Sequence, residues 1–208
     1  FIWGLFFGAM FGGRVGYMIF YGTEQLISNP LSLFYVWQGG LSFHGGLLGV
    51  IASMFLFSVK KKISFLSIMD AVALSMPIGL GLVRLGNFLN GELFGKPTNG
   101  SWGFIFPSYQ YGYPRHPSQI YELILEGFVL FYVLYLVSKL KPKPGVVASS
   151  LLVFYGLFRF LVEFFREPDA HLGYLTFNLS MGQILSLPMI IIGIILVLFF
   201  SNKYAKLS

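Results

Sequence analysis

The chain has 208 residues, of which 56% are hydrophobic and 11% charged, with 24 phenylalanines and a formal net charge of +6. A soluble domain carries about 25% charged residues, so the composition excludes an ordinary soluble fold and places the chain among membrane proteins. The absence of cysteine excludes a disulfide framework, a thiolate metal site and a thiol nucleophile of its own. The positive charge sits in short lysine clusters between apolar runs, which is the pattern of cytoplasmic loops and not of a nucleic-acid face.

Six apolar segments are long enough to cross a bilayer, at about 17–25 residues each. They are 1–21, 38–58, 70–91, 118–138, 146–166 and 180–201. The predicted fold class is an all-α integral membrane protein, with residues 1–208 forming one polytopic domain. The start at Phe1, inside an apolar run, reads as an N-terminal truncation. The first span carries Arg14, Tyr17 and Tyr21 as one stripe. The following NPLSLFYVWQ, at 29–38, suits the membrane interface. The second span holds His44 with Gly45 and Gly46 near its start and ends at Lys60, Lys61 and Lys62. The third begins at Asp70 and carries Arg84 and Asn87 near its end, with Asn90 and Glu92 beyond. Residues 92–117, rich in Gly, Pro and aromatics, suit the headgroup layer. His116 precedes the fourth span, which ends at Lys139, Lys141 and Lys143. The fifth ends in Arg159, Glu163 and Arg166. Lys203 and Lys206 follow the sixth.

Six alternating spans put all three lysine clusters on one side, which the positive-inside rule makes cytoplasmic, with the C-terminus inside. The opposite connections hold mainly Lys96 and Arg115, with acids at Glu24, Glu167 and Asp169. Arg14, Tyr17, His44, Arg84, Asn87, Glu92, His116, Arg159, Glu163 and Arg166 then share one depth, toward the outer leaflet. A charge deep in a span costs several kcal/mol and is by default a functional hint, so the set reads as one site. Helical phase agrees. Arg84, Asn87, Gly91 and Gly95 fall within an arc of roughly 80° if the helix continues that far, and Arg159, Glu163 and Arg166 within roughly 60°.

Taken singly, these residues have plainer readings. Arg159 and Glu163 can be an i,i+4 ion pair. Gly45–Gly46 can be helix packing. His44 can be a core histidine, Arg166 can snorkel, and Tyr17 and Tyr21 can be belt aromatics. As a set they ask for an anion, since guanidinium binds phosphate in a planar, bidentate way. His44 and His116 are the natural bases near neutral pH. No metal-ligand pattern, nucleophile elbow or phosphate loop is present. Residues alone lead to an outer-leaflet enzyme or binder acting on an anionic lipid.

GGLSFHGGL at 39–47, RLGNFLNGELFG at 84–95, HPSQIYE at 116–122 and FRFLVEFFR at 158–166 together resemble the bacterial phosphatidylglycerol–prolipoprotein diacylglyceryl transferases. The blocks stand in the family's order, and the similarity covers nearly the whole chain. The family has seven spans, so the resemblance implies that the first is missing here. It implies an enzyme of the bacterial plasma membrane that moves a diacylglyceryl group from phosphatidylglycerol to the lipobox cysteine thiol of a prolipoprotein signal peptide. The products are a thioether and glycerol 1-phosphate, in the first step of lipoprotein maturation. The expected base is His44, with Arg159 and Glu163 as further catalytic residues. Arg84 with Asn87 is expected to hold the phosphate, and Asn87, Asn90 and Glu92 to read the glycerol. Gly95, Arg14, Tyr17, His116 and Arg166 complete the expected substrate-binding set. No metal or organic cofactor is needed, because the lipid contains its leaving group. The rival readings are a transporter of an anionic lipid or solute, which would favour a midplane site and inverted repeats, and a structural membrane subunit.

Overall fold

The computed structural model describes residues 1–107, 112–167, 175 and 178–203. Asp169 and Lys206 lie outside the described residues, as does the side chain of Lys203. The helices are α1 (Ile2–Phe20), α2 (Thr23–Ser28), α3 (Phe43–Lys61), α4 (Phe65–Leu89), α5 (Ser118–Glu122), a wide π-helical stretch at Leu123–Val129, α6 (Leu130–Lys139), α7 (Val146–Val162) and α8 (Met181–Lys203). Among the described residues there is no regular strand, only three isolated antiparallel bridges. Ile2–Phe20, Phe43–Lys61, Phe65–Leu89, Ser118–Lys139 and Met181–Asn202 are long and apolar enough to cross a membrane, and Val146–Val162 is a shorter apolar helix. The chain is thus an all-α integral membrane protein.

The helix expected over 146–166 runs only to Val162. Beyond it, Arg166 N–H still donates to Val162 O at 3.1 Å, but the Phe165 carbonyl accepts from Lys96 N–H at 2.9 Å and Arg166 bridges to Gly95, so the ladder goes no farther. The stretch expected over 118–138 is helical throughout but changes pitch. Leu130 N–H donates to Leu125 O, five residues back, where the ladder widens.

The fold has two compact units, Phe1–Ile68 and Met69–Ser208. In the first, α1 and α3 pack through small residues. Gly8, Gly12 and Gly16 recur every fourth position on α1 and face Gly45, Gly49 and Ser53 on α3. A Cβ on Gly16 would lie 2.9 Å from Gly45 Cα, so only glycine permits this approach. In lipid, apolar burial gives no drive to associate, and such close backbone packing takes its place. Ser42 starts α3 by accepting from Gly45 N–H at 3.3 Å. Lys62, at φ 54°, ends it in the left-handed region.

In the second unit α7 packs along α8. The core is Ala73, Leu130, Leu134, Val147 and Leu151. Asp70 on α4 caps a different helix: its carboxylate accepts from Gly145 N–H at 2.7 Å and Ala148 N–H at 2.8 Å. Two otherwise unpaired donors at the N-terminus of α7 are satisfied this way, and the negative charge suits the positive end of the helix. The lone acid at the start of the third predicted span is therefore a capping residue.

Candidate functional site

The second unit gathers the charged residues of three of the quoted blocks. Arg84, on the last turns of α4, meets Glu122 through Nε–Oε2 at 2.9 Å. The other oxygen of Glu122 meets Arg159 Nη1 at 2.5 Å. Arg159 Nη2 meets Glu163 Oε1 at 2.5 Å. Arg166 Nη1 shares that oxygen at 3.2 Å, and its Nε lies 3.9 Å from Glu122. Glu126 stands farther back, 3.7 Å from Arg159 and 3.9 Å from Arg84. Ser180 Oγ donates to the second oxygen of Glu163 at 2.6 Å. Three guanidiniums and three carboxylates thus alternate in one lattice.

The lattice has a direction. Glu122, Glu126 and Glu163 are buried at 1%, 0% and 4% exposure, while the Arg84, Arg159 and Arg166 side chains keep 16%, 13% and 14%. The acids form the back wall and the guanidiniums the accessible front. A buried acid that pairs with a guanidinium holds it in a fixed orientation at a high desolvation cost. A planar donor array held this way is prearranged for a phosphate. The i,i+4 pair of Arg159 and Glu163 is formed, as one element of this larger array.

The turn after α4 has its own bracing. Asn87 Nδ2 donates to Glu92 Oε1 at 2.9 Å, and Asn90 Nδ2 reaches the same oxygen at 3.4 Å. Gln119 Nε2 donates to the Glu92 carbonyl at 2.6 Å. Asn87 Oδ1 is buried with no hydrogen-bond partner among the described residues. The helix ends at Leu89 and Gly91 has φ 66°. Gly91 and Gly95 therefore do not continue the helical face of Arg84 and Asn87, which corrects the extrapolated arc. Gly95 serves a different contact. Its N–H donates to His116 O at 2.8 Å, and a Cβ there would lie 2.8 Å from His116 Cβ.

His116 is locked in this loop. Its N–H donates to Lys96 O at 3.0 Å, Nδ1 lies 3.1 Å from Tyr121 Oη, and its ring packs edge-on to Phe165. Partial burial, then the nearby Lys96 charge, hold its imidazole below the usual histidine range. Arg115, beside it, is buried, donates to Gly95 O at 3.1 Å, pairs with Glu167 and lies over the Phe94 ring.

In the first unit, Arg14 is 2% exposed. Its guanidinium donates to the carbonyls of Gly39 and, at 2.7 Å, Ser32, and lies over the Tyr17 ring. It clasps the 3-10 turns Pro30–Phe34 and Val36–Gln38 to α1. Tyr17 packs on Tyr21 and against Gly40. His44, in the first turn of α3, is exposed and lines an open groove of about 640 Å³ with Val15, Ile19, Tyr21 and Leu48.

A family model described as prolipoprotein diacylglyceryl transferase matches residues 1–199. The chain belongs to this family. Several relatives bear the name phosphatidylglycerol–prolipoprotein diacylglyceryl transferase. The protein of Geobacter sulfurreducens is 52% identical over 202 residues, covering 97% of this chain and 77% of its own length. That of Bordetella bronchiseptica is 53% identical over 192 residues, covering 92% and 73%. That of Pseudoalteromonas atlantica is 54% identical over 211 residues, covering 98% and 74%.

Of the three acids that organise the arginines, Glu163 stands in the expected set, whereas Glu122 and Glu126 do not. Glu122 closes the HPSQIYE block, and Glu126 follows four residues later inside an apolar span. Two carboxylates inside a span are as costly as two arginines, and that cost is the signal that points to them. Ser180 carries no comparable signal, since its partner Glu163 is 17 residues away and fixed only by the tertiary fold.

Proposed function

We propose that this chain transfers the diacylglyceryl group of phosphatidylglycerol to the lipobox cysteine thiol of a prolipoprotein. The observation that carries the reading is the array of Arg84, Arg159 and Arg166 set in front of buried Glu122, Glu126 and Glu163, in a chain that is 52–54% identical to named transferases. The thiol loses its proton and its sulfur attacks the glyceryl carbon bound to the phosphate. A C–S bond forms as the C–O bond breaks, and glycerol 1-phosphate leaves with the phosphate charge. The thiolate is the nucleophile, and a free thiol has a pKa near 8.5, so a base and a cationic environment both help.

His44 is the proposed base, since its ring is exposed at a groove. Arg84 and Arg166 are assigned to the lipid phosphate, and Arg159, oriented by Glu122 and Glu163, to the charge that builds on the leaving group. Asn87, with a buried carbonyl oxygen unused among the described residues, is assigned to the glycerol hydroxyls. Asn90, Glu92, Gly95 and His116 shape the loop that borders the arginines, and Arg14 with Tyr17 holds the segment before α3. The lysines after α3 and α6 support a cytoplasmic C-terminus and chemistry toward the outer leaflet of a bacterial plasma membrane.

The test is transfer from radiolabelled phosphatidylglycerol to a lipobox peptide by folded Arg84→Ala and His44→Ala variants. Loss in both is expected, at about 10²–10³-fold for Arg84→Ala. Wild-type rates in both would overturn the assignment.

A further inference from the structure

Below the arginines, the same helices form an apolar groove of about 290 Å³. Pro77, Gly81 and Leu82 of α4 make one wall; Leu123, Gly127 and Phe131 make the other. Its floor is a glycine contact: a Cβ on Gly127 would stand 3.1 Å from Gly81 Cα. Its rims are open, with Ile78, Leu82 and Phe128 53%, 64% and 69% exposed.

The groove and the charged lattice lie on the same helices. Arg84 is seven residues after Pro77, which places it roughly 20° away in phase and about 10 Å farther along α4. Across the groove, Leu123 adjoins Glu122 and Gly127 adjoins Glu126. Guanidiniums at one end and a channel of hydrocarbon side chains leading away from them match an amphiphile with an anionic head and an apolar tail.

We propose that this groove seats an acyl chain of the anionic phospholipid whose phosphate the arginines hold, so that Ile78, Leu82 and Phe128 set the acyl-chain preference. This rests on the transferase reading. A chain lying in the groove exchanges loose contact with bilayer lipid for fixed contact with both walls. The guanidiniums select an anionic headgroup; a second apolar furrow, lined by Tyr121, Leu125, Leu161 and Phe165, adjoins Glu122, Glu163 and Arg166 and is the rival seat.

The experiment uses the full chain in nanodiscs with a phosphatidylglycerol that carries a diazirine on one acyl chain. Photolabelling is expected on Ile78, Leu82 or Phe128, and it should be displaced by unlabelled phosphatidylglycerol but not by phosphatidylcholine. Label confined to the furrow lined by Tyr121, Leu125, Leu161 and Phe165, or spread evenly over the lipid-facing surface, would overturn the proposal. In a second arm, Ile78→Trp with Leu82→Trp fills the groove. The KM for dipalmitoyl phosphatidylglycerol should rise about tenfold, as expected for displacing two or so methylenes. The KM for the dioctanoyl lipid should change less than twofold, and Leu198→Trp on α8 should match wild type for both. An active variant with an unchanged chain-length profile would refute the groove assignment alone. No transfer by the wild-type chain from any phosphatidylglycerol would refute the transferase reading itself.

Discussion

Glu122 is the residue on which the arginine array depends most, and its removal tests the whole geometry. It holds Arg84 at 2.9 Å and Arg159 at 2.5 Å, one oxygen each, at 1% exposure. Glu122→Gln keeps the shape but removes the charge. Among the described residues, Arg159 would retain Glu163 at 2.5 Å, whereas Arg84 would retain only Glu126 at 3.9 Å. Breaking a buried pair costs about 3–5 kcal/mol, because the remaining charge is left without a partner. The arginines keep some exposure and alternative partners, so about 3 kcal/mol is expected for Glu122→Gln. Glu126→Gln should cost less, since its contacts are 3.7 and 3.9 Å and none is a hydrogen bond. Thermal unfolding in detergent measures both. Transfer assays should show Glu122→Gln with a raised KM for phosphatidylglycerol, from the displaced Arg84, and a lowered kcat, from the loosened Arg159. Equal stability of wild type and Glu122→Gln, or a larger loss for Glu126→Gln, would refute the reasoning.

Asp70→Asn weakens the cap that starts α7 and should lower stability by about 1 kcal/mol in the same unfolding assay. Gly16→Leu should separate α1 from α3, since even a Cβ would stand 2.9 Å from Gly45 Cα; distances between spin labels on the two helices would report it. His116 is held neutral, below its usual 6.5, by partial burial and Lys96. The folded state therefore resists protonation that the unfolded chain accepts. Its contribution is fully present above about pH 6.5 and is lost as pH falls through the lower folded value. Unfolding midpoints measured from pH 7.5 to 5.5 should fall less steeply in His116→Asn than in wild type.

The periodic features were legible because periodicity reports a helix face directly. Arg159, Glu163 and Arg166, within roughly 60° of helical phase, mark one face of a helix before any partner is known. The charges in spans were legible because lipid makes them costly. Gly45–Gly46 reads in the sequence as helix packing. The structure puts Gly45 against α1, while His44, one residue earlier, lines the groove.

What stayed hidden was which charges are partners. Arg84 and Glu122 are 38 positions apart, and no spacing rule joins α4 to α5. Asn87, Asn90 and Glu92 read in the sequence as separate polar groups, and the hydrogen bonds from the Asn87 and Asn90 amides to the Glu92 carboxylate depend on the turn at Gly91. That turn also decides the role of Gly95. Once the helix ends at Leu89, Gly95 meets the His116 backbone. A site built from helix ends is therefore only half readable from helical phase. Phase fixes Arg84 and Arg159 on their faces, and the loop after each helix decides which neighbours those faces meet.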